Sequence, residues 1–255
     1  DGPAPPGRVT LVGAGPGDPE LLTLRAVKAL RGARLVLYDN LVGKEVLRYV
    51  AEDADLIYVG KEASRHTLPQ ESIIDLMVRL ARSGRSLVRL KGGDGFIFGR
   101  GGEEALALAE AGIAFEVVPG ITAAQGAGAC AGIPLTHRDH AATLVFATGH
   151  LRGDNELALD WEALARPRQT VVIYMGVGNL PTICGELVRH GLPAQTPAAL
   201  VEQASLPGQR CITGTLQDLP QLAQQHRVRA PALIVVGEVV GLQPQLMRGM
   251  QAAVL

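Results

Sequence analysis

The sequence predicts an α/β fold in two domains, on three observations. Short apolar runs of strand composition alternate with amphipathic segments of helical spacing, the pattern of βα units around a largely parallel sheet. Glycine-rich loops follow several of those runs, at the place where open α/β sheets carry their sites. After Val118 the texture changes to PGITAAQGAGACAGIPLTHRDH, rich in Gly, Ala and Pro, and a second series of apolar runs then begins. The expected division is an N-terminal α/β domain over 8–132, a C-terminal α/β domain over 133–242 and a loose tail over 243–255.

The first series places strands at Val9 to Val12, Leu35 to Tyr38, Leu56 to Val59, Ser86 to Leu90 and Phe115 to Val118. A helix is expected from Pro19 to Leu30, capped by Asp18, with Pro19 at the first helical position and Leu22, Ala26, Ala29 and Leu30 on one face. A second runs from Pro69 to Ala81 and stops at Gly84. The Gly- and Ala-rich stretch reads as a short tight helix followed by a connector. In the second series, strands are expected at Leu144 to Thr148, Thr170 to Tyr174, Ala198 to Glu202, Arg210 to Thr215 and Ala232 to Val236. Helices are expected near Leu180 to His190 and Leu216 to His226.

Composition narrows the function. At 47% hydrophobic, 19% charged and a formal net charge of −1, the 255 residues describe a folded globular chain with no bias towards a polyanionic partner. Aromatic content is only 4%, too sparse for the stacking platforms of nucleic-acid binders. Of the 24 positive charges 20 are Arg, the side chain suited to bidentate capture of carboxylates. Cys130, Cys184 and Cys211 are far apart and odd in number, which argues for small buried side chains rather than a disulfide framework or a CxxC metal site. No apolar run reaches membrane-spanning length and no secretion signal opens the chain, so the cytoplasm is the expected compartment.

The stretch RLKGGDGFIFGRGGEE, Arg89 to Glu104, reads as a binding loop. Glycines at 92, 93, 95, 99, 101 and 102 imply backbone that turns sharply and approaches a ligand closely. They are interleaved with Asp94, Arg100, Glu103 and Glu104, a mixture that suits a small molecule. A second glycine loop, VGAGPGDPE, imitates a dinucleotide fingerprint. Gly13 and Gly15 fit G-x-G-x-x-G, but Asp18 occupies the third position and Pro16 lacks a backbone N–H, so a nucleotide phosphate is disfavoured there. His137 and His140 are close in sequence without a third ligand in register, and no metal site is expected.

Taken together, GAGPGDPELLT, LYDNLV, VGKEASRHTLPQESI, RLKGGDGFIFGRGGEE, VVPGITAAQGAGACAGIPLTHRD, TGH and YMG closely resemble the uroporphyrinogen-III C-methyltransferases of the tetrapyrrole methyltransferase superfamily, over about Val9 to Leu242. The resemblance implies the two-domain tetrapyrrole methylase fold, with S-adenosylmethionine in the interdomain cleft, and a homodimer. It carries cofactor contacts onto Pro16, Gly92, Gly93, Asp94, Ile97, Thr122, Ala123, Met175 and Ala204. A plain structural reading stands beside each of these, most of all packing for Ile97, Ala123 and Ala204. The implied reaction moves methyl groups from two S-adenosylmethionine molecules to C2 and C7 of uroporphyrinogen III, giving precorrin-2 and S-adenosylhomocysteine without a metal.

Within the same resemblance, Asp39 takes the proton-acceptor role and Lys61 the donor role. The plain alternatives are a helix cap for the segment after Asp39 and a solvated Lys61 paired with Glu62. Arg100 and Arg138 are candidates for the substrate carboxylates, against ordinary exposed arginines. Glu103 is a candidate acceptor for pyrrole N–H groups, or else an acid favouring a helix start. Two positions depart from the family pattern: Gly95 replaces a usual Pro, and Asn40 replaces the Arg that usually follows Tyr-Asp. Other readings are a methylase of a later precorrin, an NAD(P)-binding oxidoreductase, and a non-catalytic tetrapyrrole carrier. No oxidase and chelatase module of the kind fused in some family members is recognised in the sequence, so later steps are expected of separate proteins.

Overall fold

The computed structural model describes residues 2–3, 5–60, 70–150 and 157–253. The chain divides into two compact units, Asp1–Thr122 and Ala123–Leu255.

The first unit is built on five strands, β1 (Val9–Gly13), β2 (Leu35–Tyr38), β3 (Asp55–Tyr58), β4 (Leu87–Lys91) and β5 (Phe115–Val118), in the order β3-β2-β4-β1-β5. Every pairing is parallel. Helix α1 (Leu24–Gly32) follows β1, α2 (Gln70–Arg82) precedes β4 and α3 (Gly101–Glu110) follows it. Because side chains alternate across a strand, the sheet buries two separate apolar layers. Val9, Leu11, Leu35, Leu37 and Leu87 pack with Ile73 and Met77 of α2 and with Ala105 and Leu108 of α3. Val12, Val36, Val88, Leu90 and Val118 pack on the opposite face with Ala26 and Leu30 of α1.

This arrangement fixes where a site can form. The chain leaves β1 towards the α1 face and leaves β4 towards the α3 face, although β1 and β4 are neighbours. Their carboxyl ends therefore flank a topological switch point, the place where open parallel sheets leave a crevice.

The expected helix from Pro19 to Leu30 is two segments. Asp18 Oδ1 accepts from Glu20 N at 2.9 Å and caps a single turn, Pro19–Leu21. Leu22 and Thr23 are extended, and Thr23 Oγ1 then accepts from Ala26 N at 3.0 Å to start α1 afresh. A threonine that supplies its own cap ends one turn and begins another.

The second unit contains α4 (Ala123–Ala131), β6 (Thr143–Thr148), α5 (Trp161–Leu164), β7 (Gln169–Tyr174), α6 (Leu180–Arg189), β8 (Pro197–Glu202), β9 (Arg210–Thr215), α7 (Leu219–Gln225), β10 (Ala232–Val236) and α8 (Gln243–Ala252). Its sheet has the order β6-β7-β10-β8-β9 and departs from the largely parallel expectation. Only β6 and β7 pair in parallel, while β10 runs antiparallel to both β7 and β8, and β8 to β9. The link from Glu202 to Arg210 is too short for a crossover helix, so β9 must return antiparallel. Ala147, Ile173, Leu200, Ile212 and Ile234 form one apolar face with Leu180, Ile183 and Leu187 of α6.

Two boundaries also differ from expectation. Helix α4, assigned by the sequence to the first domain, is held in the second unit: Tyr174 Oη accepts from Ala124 N at 3.1 Å, and Cys130 and Ala131 carbonyls accept from Gln209 and Gln243, each at 3.1 Å. Residues 243–252 of the expected tail form the helix α8, with a proline in its first turn.

Helix α1 gives a direct test of the packing. Leu30 is fully buried and Leu24 is 90% exposed. Leu30→Ala is expected to cost about 2–5 kcal/mol and Leu24→Ala less than about 0.5 kcal/mol, measured by urea unfolding.

Candidate functional site

The segments after β1, β4 and β5 meet at the carboxyl ends of these neighbouring strands, backbone against backbone. Gly15 N donates to Gly93 O at 3.1 Å and Gly93 N to Gly15 O at 2.7 Å, joining the loops after β1 and β4. Gly120, after β5, closes the group: a Cβ on Gly13 would lie 2.6 Å from Gly120 N and 2.7 Å from Gly93 O, closer than real Cβ atoms come. The loop after β2 joins from the other side, since a Cβ on Gly92 would lie 2.8 Å from Leu41 O. The close approach expected of these glycines is present, and its partner is the protein's own backbone.

Asp94 ties the group together. Its Oδ1 accepts from Gly120 N at 2.9 Å and its Oδ2 from Phe96 N at 3.0 Å. Beyond it the loop carries two non-glycine residues in the left-handed region, Phe98 at φ 51° and Arg100 at φ 58°. Such backbone costs of order 1–3 kcal/mol per residue and concentrates at functional segments. Arg100 and Glu103 form a two-point ion pair, Nε to Oε1 at 3.2 Å and Nη2 to Oε2 at 2.8 Å, exposed to solvent. Gly95 has room for a side chain, because a Cβ there would meet only Lys91 Cδ at 3.4 Å.

Beneath this loop lies a charge cluster to which the sequence reading assigned no role. Arg89 and Lys91 project from β4 on the α3 face and are 2% and 6% exposed, and Glu104 is fully buried. Arg89 Nε donates to Glu104 Oε2 at 2.9 Å, and Lys91 Nζ lies 2.8 Å from Glu104 Oε1. Asp39, at the carboxyl end of β2, lies beside them with its Oδ2 3.8 Å from Arg89 Nη2. Its Oδ1 accepts from Leu41 N at 2.9 Å in a local turn, and the helical segment that follows, Lys44–Tyr49, starts from Gly43 rather than from an Asp39 cap. Two charges at alternate positions of a central strand, VRLK, were the signal available. Burial, first, and the Arg89 charge push the Lys91 pKa below 10.5, against the pull of Glu104 and Asp39.

In the first unit the structure thus places Pro16, Asp39, Gly92, Gly93, Asp94, Ile97 and Arg100 on the segments that follow the carboxyl ends of β1, β2 and β4, with Glu103 in the first turn of α3 and Thr122 after β5. Lys61 falls outside the described residues. In the second unit, Met175 follows β7 in the left-handed region at φ 56° and is 52% exposed. Ala204 follows β8, flanked by Gln203 and Ser205 at φ 49° and 70°. Tyr174 Oη brings Ala123 and the start of α4 to that same end of the sheet. Arg138 is not brought there: its carbonyl accepts from Arg168 Nη2 at 3.4 Å in the turn before β6, at the opposite edge. Among the described residues no group of His, Cys, Asp or Glu is arranged to hold a metal, and no helix is long and apolar enough to cross a membrane. Burial pushes the Cys184 thiol up to about 12 and the Cys211 thiol up to about 11.

Residues 8–220 match the family described as Tetrapyrrole (Corrin/Porphyrin) Methylases. The chain belongs to this family. Among the tetrapyrrole methylases, the siroheme synthase of Nitrosomonas europaea is 56% identical over 242 residues, 95% of this chain and 51% of that protein. The chain therefore spans about half the length of the siroheme synthases it matches. The crystal structure of uroporphyrin-III C-methyltransferase from Thermus thermophilus in complex with S-adenosylhomocysteine superposes with a TM-score of 0.80 at 43% identity, covering 92% of this chain and 100% of that one. A cobalt precorrin-4 methyltransferase superposes with a TM-score of 0.80 at 26% identity, covering 91% of this chain and 95% of that one.

Two tests address the loops and the cluster. A Cβ on Gly101 would run into Gly95, whereas one on Gly102 meets nothing within 4 Å. Gly101→Ala is expected to destabilise by about 1–3 kcal/mol and Gly102→Ala, in helix α3, to stabilise by about 0.5–1 kcal/mol in urea unfolding. For Lys91, whose folded pKa lies below its unfolded value, the unfolded chain holds the proton over a window in which the folded chain has released it. Its contribution to stability accordingly rises with pH from the folded value up to 10.5. Unfolding curves from neutral pH upward should show wild type gaining on Lys91→Met across that window, and a flat difference contradicts the burial argument.

Proposed function

We propose that the protein is an S-adenosylmethionine-dependent C-methyltransferase acting on uroporphyrinogen III. The observation that carries the reading is the topological switch point between β1 and β4, where the Gly15–Gly93 backbone bridge joins the loops after the two strands, with Asp39 after β2 and Arg100 and Glu103 after β4. Beside the glycine loop, Pro16 offers no N–H and Asp18 adds a negative charge, which suits a phosphate-free ligand better than a dinucleotide. The Thermus thermophilus relative, matched over its whole length, supports the same choice of ligand.

The residues proposed to hold S-adenosylmethionine are Pro16, Gly92, Gly93, Asp94, Ile97 and Thr122 of the first unit and Ala123, Met175 and Ala204 of the second. Their chemistry fits, since peptide groups can read the adenine and methionine ends, Asp94 is polar, and Ile97 and Met175 are apolar. S-adenosylmethionine supplies an electrophilic methyl on a sulfonium that needs no activation. The protein's work is then to align a pyrrole carbon with the S–CH₃ bond and exclude water. As the carbon–carbon bond forms, the S–C electron pair stays on sulfur and the pyrrole becomes an iminium. Asp39 takes the proton whose loss gives the product tautomer, and Lys61 acts as proton donor. Arg100 binds a substrate carboxylate by exchanging its exposed contact with Glu103, which accepts from pyrrole N–H groups; Arg138, at the opposite end of its sheet, is given no role in this reading.

On this reading C2 and C7 are methylated in turn, giving precorrin-2, a precursor of sirohaem, cobalamin and haem d₁. The siroheme synthase relatives favour the first of these, and the family resemblance favours a cytoplasmic homodimer. Anaerobic incubation with uroporphyrinogen III and methyl-labelled S-adenosylmethionine is expected to add two labelled methyl groups, read by mass analysis of the oxidised tetrapyrrole. Arg100→Ala should raise KM for the tetrapyrrole about tenfold with a smaller effect on kcat. Unchanged uroporphyrinogen, from protein that binds S-adenosylmethionine, would move the substrate to another precorrin.

A further inference from the structure

We infer that Arg89, clamped from behind by Glu104 and Lys91, positions the Asp39 carboxylate, so that the proton acceptor is the outermost member of a four-residue charge cluster. This deepens the proposed function and rests on its reading of Asp39.

The geometry is directional. Arg89 lies in the middle of a central strand, its backbone fixed between Leu11 of β1 and Leu37 of β2. Glu104 holds the Nε edge of the guanidinium, and the other carboxylate oxygen is held by Lys91. A planar group tied at Nε has little freedom to turn, and its Nη2 faces Asp39 Oδ2 at 3.8 Å. Arg89 Nη1 is buried without a hydrogen-bond partner among the described residues. On Asp39, Oδ1 is occupied by Leu41 N–H, so Oδ2 is the oxygen turned towards Arg89. At 3.8 Å the contact is longer than a hydrogen bond. Attraction orients Oδ2 without saturating it, and the oxygen keeps a lone pair for an incoming proton.

Charge and exposure agree. Arg89 and Lys91 bring two buried cations against one buried carboxylate, and a buried uncompensated charge is costly. Asp39 supplies the second anion. Side-chain exposure rises outward through the cluster, from 0% at Glu104 and 2% at Arg89 to 7% at Lys91 and 19% at Asp39. Asp39 is therefore the member within reach of a substrate, and Arg89 acts through it.

A double-mutant cycle on the full chain tests this, with kcat and KM measured for Asp39→Asn, Arg89→Met and the double variant. S-adenosylmethionine binding by calorimetry and thermal unfolding serve as controls. Asp39→Asn is expected to lower kcat about 10²-fold and Arg89→Met about tenfold, each with KM within about twofold. In the Asp39→Asn background, Arg89→Met should change kcat by less than about twofold, because the group it acts through is gone. The same tenfold loss in both backgrounds would mean that Arg89 merely supports the fold, and a wild-type kcat for Arg89→Met would also overturn the inference. A fully active Asp39→Asn would remove the proton-acceptor reading itself, and the inference with it. Arg89→Lys, which keeps the buried charge but cannot span Glu104 and Asp39, is read through the same cycle should Arg89→Met not fold.

Discussion

At the carboxyl ends of β1, β4 and β5 the chain meets itself backbone to backbone at Gly13, Gly93 and Gly120, and the Asp94 side chain is bonded across to Gly120 N. A single added methyl group at Gly13 or Gly120 has nowhere to go. The crevice at the switch point, the course of the loop from Gly92 to Arg100 and the start of α3 all follow from that contact. Glycine here is a packing residue, and the loop beyond it carries Phe98 and Arg100 in the left-handed region.

Directly below, the buried Glu104 joins helix α3 to strand β4 through Arg89 and Lys91. Such a cluster is a poor source of net stability, because desolvation offsets most of the attraction. What it does provide is direction. Three charges fixed in a dry layer leave Arg89 with one orientation, and that orientation faces the carboxylate at the end of β2. The apolar packing around Leu37, Leu87 and Leu108 holds the frame, and the ionic cluster sets the angle of one side chain within it.

The second unit follows a different construction, with β10 inserted antiparallel between β7 and β8. Its consequence is that Met175 and the segment around Ala204, far apart in sequence, share one edge of the sheet, both held by backbone in sparsely populated conformations. Arg138 lies at the other edge. Residues grouped by a common motif list can thus be separated by the length of a strand when the sheet between them is laid out.

Each strand of this chain was legible in its sequence, because apolar alternation records which side chains a strand must bury, and short-range cues such as Asp18, Pro19 and Gly84 mark turns locally. The glycine loops were legible as places of close approach, and Asp39, Arg100 and Glu103 as polar residues beside them. Strand direction in the second sheet, the allegiance of α4 and the helicity of 243–252 were not, since these depend on partners distant in sequence. The same holds for Arg89, Lys91 and Glu104, which in the sequence are charges like any others. Burial is a property of the assembled layer, and only the packing of α3 on β4 made them one buried cluster facing Asp39.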